Sequence, residues 1–133
     1  MPVHRMFLKG PWEVRWLDCD EPPRRVILPA IWQTIFGDQT GQAEFRRKFN
    51  QPTNLQAHEH VWIVFQGVSG AGQVGINGQW LGGIDRDGTT AEFEITLHLA
   101  MHNELVVQLT FDVGGPPDQL GGLWGPVALE IRS

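Results

Sequence analysis

The strongest constraint on this chain is a two-residue alternation of apolar and polar side chains, repeated in short runs along most of its length. Trp12, Val14 and Trp16 alternate with Glu13 and Arg15, and Ala43, Phe45, Arg47 and Phe49 oppose Glu44, Arg46 and Lys48. Phe93, Ile95 and Leu97 stand against Glu92, Glu94 and Thr96, and Leu105, Val107, Leu109 and Phe111 against Val106, Gln108, Thr110 and Asp112. Val127, Leu129 and Ile131 close the series. Successive side chains of a strand point to opposite faces, so each run reads as a strand with one buried face. Val61 to Phe65 is apolar on both sides and reads as a central strand. Asn77-Gly78, between Gln73–Ile76 and Trp80–Ile84, is a hairpin signal, because both residues tolerate the positive φ of a type I′ turn.

Val26-Ile27-Leu28 is a further short apolar run, ending at Pro29. From Ala30 to Gly41 no period holds, and Trp32, Ile35 and Phe36 fit one helical turn plugging an end of the structure. The 16 Gly and 9 Pro fall between the runs, as turns require. The expectation is an all-β domain of about eight strands, a jelly-roll β-sandwich spanning residues 1–133 as one unit. Cys19 is the only cysteine, so no intrachain disulfide supports the fold, and its acidic neighbours Asp18, Asp20 and Glu21 disfavour a reactive thiolate.

Charge excludes some partners. The formal net charge is -5, and the basic run Arg46-Arg47-Lys48 is divided between two strand faces, so no nucleic-acid stripe is expected. No apolar stretch approaches the length needed to span a bilayer, so no membrane partner is expected. Met1-Pro2-Val3-His4-Arg5 does not open a signal peptide, which gives a cytoplasmic expectation unless an export signal has been removed.

Two blocks carry a resemblance: LPAIWQTIFGDQTGQAEFRRKF at 28–49 and GVSGAGQVGINGQWLGG at 67–83. AEFEIT at 91–96, NELVVQL at 103–109 and GGLWGPVALE at 121–130 follow in order. From about Trp12 to Leu129 the series resembles the N-terminal sugar-binding domain of glycoside hydrolase family two, the β-galactosidase and β-glucuronidase group. The resemblance implies a galactose-binding-domain-like jelly roll that packs against a catalytic barrel. The family's two catalytic glutamates lie on that barrel, so no position of this sequence inherits them. The chain departs from the family's Gly-rich run, having Gly83-Ile84-Asp85-Arg86-Asp87-Gly88 instead.

Sugar rings are gripped by flat aromatic faces with carboxylate or amide groups beside them. Trp12, Trp16 and Trp62 fall in strand patterns and read as core, whereas Trp32, Trp80 and Trp124 fall in or beside loops. Trp32, Asp38, Trp80, Asp85, Asp87 and Trp124 are therefore the candidate sugar-binding residues, with Gln39, Asp118 and Gln119 as polar neighbours. The family motif has Trp32 and Trp124 brace loops against the sandwich. Asp85 and Asp87 offer Ca²⁺ too few oxygens for an independent site, so no cofactor is expected. Arg47 shares a face with Phe45 and Phe49 and is expected to hold a structural ion pair.

His58 with His60, and His98 with His102, have spacings that allow metal ligation, but at strand ends they read as solvated loop residues. Glu92 and Glu94 share a face at a separation within a glycosidase's range, and their alternation with Phe93 and Ile95 makes that face an exposed one. Three functions follow in order of expectation. The first is a noncatalytic module that binds carbohydrate or docks on a glycoside hydrolase catalytic partner. The others are a structural or oligomerising sandwich, and a small metal-dependent enzyme on the histidines.

Overall fold

A computed structural model describes residues 4–18, 20–85, 90–115 and 120–133. Ten strands are present among them: β1 (His4–Phe7), β2 (Trp12–Trp16), β3 (Arg24–Val26), β4 (Gly41–Asn50), β5 (His60–Phe65), β6 (Ala71–Ile76), β7 (Gln79–Ile84), β8 (Ala91–Glu94), β9 (His102–Phe111) and β10 (Val127–Arg132). They form a four-stranded sheet in the order β1-β10-β5-β8 and a six-stranded sheet in the order β3-β2-β4-β9-β6-β7. Every pairing is antiparallel. The architecture is a jelly-roll β-sandwich.

One core lies between the sheets. From the larger sheet come Val14, Phe45, Val74, Leu105 and Leu109, and from the smaller Val61, Ile63, Phe65 and Leu129, all buried. These are the positions that the two-residue period assigns to inner faces. β5 lies between β10 and β8, as its two apolar faces require.

One end of the sandwich is closed by aromatic rings. A short helix, α1 (Trp32–Phe36), buries Trp32 and Phe36. The Trp16 ring centroid lies 5.7 Å from that of Trp32 and 4.6 Å from that of Phe36. Phe111 lies 5.5 Å from Trp32 on the other side. The Trp32 indole N–H donates to the Gln39 carbonyl at 2.8 Å, which satisfies its only polar atom inside the cluster. The helix stops at Gly37, whose φ is 64°.

The β6–β7 hairpin turns at Asn77-Gly78, with φ values of 52° and 82°, as a type I′ turn demands. Asn77 does more than turn the chain. Its side-chain amide donates to the Asn103 Oδ1 at 2.9 Å and to the His98 carbonyl at 3.0 Å, while its Oδ1 accepts from the Glu104 N–H at 2.9 Å.

One strand lies outside the expectations, and one expectation needs correction. β1 has no inward apolar stripe, being exposed along its whole length beside β10, and the alternation rule passes over it. The strand expected to run through Leu97 ends at Glu94, and a 3₁₀ turn covers Thr96–His98. The Ile95 N–H still donates to the Val61 carbonyl at 2.8 Å, but the Thr96 hydroxyl takes the Val61 N–H at 2.9 Å in place of a backbone carbonyl, so the ladder stops there. Leu97 consequently leaves the inner face and is 96% exposed.

Candidate functional site

The outer face of the six-stranded sheet is built from residues that the alternation turns away from the core. In β4 these are Glu44 and Arg46, and in β9 Glu104, Val106 and Gln108. Antiparallel register sets Glu44 opposite Gln108, Arg46 opposite Val106 and Gly75 opposite both Val106 and Trp80. The result is a groove of about 200 Å³ lined by Glu44, Arg46, Gly75, Trp80, Glu104 and Gln108, with Gly78 and Gln79 of the hairpin at one margin.

Trp80 forms one wall. A Cβ on Gly75 would come within 2.9 Å of the indole, so the ring lies over a bare stretch of backbone. It nonetheless remains 49% exposed. Hydrogen bonds hold the groove's polar side. The Arg46 Nε donates to Glu44 at 2.6 Å and its Nη1 to Glu104 at 2.7 Å, while the Gln108 amide donates to the other Glu44 oxygen at 3.0 Å. Arg15 approaches Glu44 at 3.6 Å from the next strand.

Glu44 faces outward and is yet only 4% exposed, because these neighbours cover it. Burial pushes its carboxyl up, but hydrogen bonds from Gln108 and Arg46 and the charges of Arg46 and Arg15 outweigh burial and hold it below the usual glutamate range. The groove therefore presents an aromatic face beside the Glu104 carboxylate and side-chain amides, with the covered Glu44 carboxylate holding Arg46 and Gln108 in place.

The five described residues of the six expected from sequence do not converge. Trp80 is in the groove. Trp32 is 0% exposed and belongs to the aromatic plug, which corrects its candidacy: it has no face to offer a ligand. Trp124 is half-buried and lies against Gly67, where a Cβ would meet its ring at 2.8 Å, and its indole N–H donates to the Ser69 hydroxyl at 3.3 Å. Asp38 is exposed after α1, and Asp85 is exposed where β7 ends. Asp87, with Arg86 and Gly88 of its loop, lies outside the described residues, as do Cys19, Asp118 and Gln119.

Arg47 makes no ion pair among the described residues. Its Nη1 donates to the Lys48 carbonyl, and its Nε has no hydrogen-bond partner. The physical reason is pleat: Arg46 projects to the face where Glu44 and Glu104 stand, whereas Arg47 turns to the opposite face beside Phe49.

Three of the candidate histidines are taken separately by other groups. His60 meets Glu94 at 2.7 Å, His98 meets Gln79 at 3.1 Å and His102 meets Asn50 at 3.0 Å. Among the described residues no three His, Cys, Asp or Glu side chains converge as a metal ion would need, and no helix is long and apolar enough to cross a membrane. Glu92 is paired with Arg132 at 2.9 Å, and Arg132 in turn sits over the Trp62 ring at 4.6 Å. Hydrogen bonds from His60 and Thr96 hold Glu94 below the usual glutamate range, the opposite of what a general acid needs.

No protein-family model and no curated protein matches the chain. Solved structures do. A putative β-galactosidase from Bacteroides fragilis superposes with a TM-score of 0.80 at 19% identity, over 100% of this chain and 24% of that one. The Bifidobacterium dentium β-glucuronidase complexed with coumarin-3-O-glucuronide gives 0.78 at 19% identity, over 98% of this chain and 30% of that one. A β-D-mannosidase from Dictyoglomus thermophilum gives 0.76 at 17%, over 97% and 22%. The fold is one these glycosidases share. The chain spans less than a third of the length of each of these enzymes.

The groove residues Glu44, Arg46, Glu104 and Gln108 were not singled out by the sequence. Their outward parity was readable, but which strands lie side by side was not. Only the β4-β9-β6-β7 order brings them under Trp80.

Proposed function

We propose that this domain is a noncatalytic carbohydrate-binding or accessory module, related to the sugar-binding domain of family two glycoside hydrolases. The observation that carries the proposal is the groove of Trp80, Glu44, Arg46, Glu104 and Gln108, an indole face set beside carboxyl groups and a side-chain amide. Sugar C–H faces stack on such a ring while their hydroxyls donate to carboxylates and exchange hydrogen bonds with amides. The groove is smaller than a typical drug-sized pocket, so it suits one sugar ring, and the expected affinity is millimolar, about -4 kcal/mol.

The test is titration of ¹⁵N-labelled protein with simple methyl glycosides. The Trp80 indole N–H resonance should move saturably, and the Trp32 indole should stay in place. If no glycoside moves Trp80, the sugar-binding reading is wrong. A second role, packing against a glycoside hydrolase catalytic domain, is favoured by the glycosidases of the same fold, in which the matched part is less than a third of the chain. Size-exclusion chromatography with a catalytic fragment of that family tests it by co-elution.

A further inference from the structure

We infer that the Trp80 groove selects neutral hexopyranosides and discriminates against uronates, an inference that rests on the sugar-binding reading above. The engagement of the groove's one guanidinium decides this. Glu44 and Glu104 contribute two carboxylates and Arg46 the one guanidinium of the lining, with Arg15 beyond it 3.6 Å from Glu44. Arg46 is already committed, with Nε on Glu44 and Nη1 on Glu104. A sugar carboxylate entering the groove would have to compete with two protein carboxylates for the one guanidinium of its lining. Arginine recognises a carboxylate best through two parallel N–H bonds, and here two of its donors are engaged on different partners.

Neutral hydroxyls face no such conflict. The Glu104 carboxylate, in the groove lining, accepts from a donor at one oxygen only among the described residues, namely Arg46 at Oε1. Gln79, at the same margin, adds an amide. The chain's net charge of -5 acts in the same direction at longer range.

Three probes decide the matter: methyl β-D-galactopyranoside, methyl β-D-glucopyranoside and methyl β-D-glucuronide at neutral pH, each followed at the Trp80 indole N–H. The expected result is that at least one neutral glycoside binds about five-fold more tightly than the glucuronide at low salt, the size of effect that one half-exposed charge produces. The gap should narrow at high salt. It should also narrow in Glu104→Gln, which keeps an acceptor for Arg46 and removes a charge. Trp80→Ala should abolish the response to every probe.

Glucuronide binding equal to or tighter than both neutral glycosides overturns the selectivity and leaves the sugar-binding reading intact. A gap unchanged by salt and by Glu104→Gln overturns the electrostatic cause. Silence at Trp80 for all three probes, up to roughly 50 mM, overturns the reading and this inference together.

Discussion

Trp32→Ala distinguishes a structural indole from a ligand platform. The side chain has no exposed surface, touches Phe36 at 4.7 Å and Phe111 at 5.5 Å between centroids, and spends its N–H on Gln39. Deleting a large buried aromatic group costs about 3–5 kcal/mol, because the rings around it relax only partly into the space. For a chain of 133 residues the entropy of unfolding near the midpoint is about 0.28 kcal/mol/K, so the melting temperature should fall by about 11–18 °C. Trp32→Phe keeps most of the ring contacts and should lose about half as much. Differential scanning calorimetry and near-UV circular dichroism read both. A fall of less than about 4 °C for Trp32→Ala, with sugar binding lost, would mean that the indole faces a ligand and that the aromatic plug has been misjudged.

Acid should weaken the fold through Glu44 and Glu130. Burial raises the Glu130 carboxyl, but hydrogen bonds from Arg132 and Arg5 and their charges outweigh it, so both carboxyls sit below the usual glutamate range. A depressed folded-state pKa contributes stability that is complete above the unfolded value and is lost as pH falls through the folded one. The urea midpoint should therefore stay level from neutrality to about pH 5 and drop below that, and Glu44→Gln with Glu130→Gln should flatten the drop. Asn77→Ala loses a residue suited to positive φ and three side-chain hydrogen bonds, so chemical denaturation should show a loss of about 2–3 kcal/mol. Gly72→Ala would put a Cβ 1.7 Å from the Gln108 carbonyl oxygen and force β6 from β9. Hydrogen exchange should quicken along both strands, with a stability loss above about 2 kcal/mol; unchanged protection there would contradict the packing of these strands.

The fold was largely legible because a half-buried sheet writes its inner face into every second residue. Val14, Phe45, Val107 and Leu129 all lie where that period puts them. Parity failed where a side chain took over a backbone rung, as Thr96 does for Val61, and it was silent for β1, which has no buried stripe to write. The candidate site was harder to read because it is a property of strand order. Trp80 stood out alone, whereas Glu44, Arg46 and Gln108 look like ordinary outward residues until β4, β9 and β6 are set side by side. Arg47 shows the same limit, since pleat alone could not say which of two adjacent arginines would find the carboxylates.

The distribution of the six tryptophans has an optical consequence. Trp12, Trp16 and Trp32 are buried, and Trp16 and Trp32 are tilted by 54° at a 5.7 Å separation, a fixed asymmetric pair that gives near-ultraviolet dichroism only while the packing is intact. Trp80 has half its surface in solvent and emits toward the red edge of the fluorescence band. Unfolding of the interior and changes in the surroundings of Trp80 can thus be followed in one cuvette, at separate wavelengths and without an added dye.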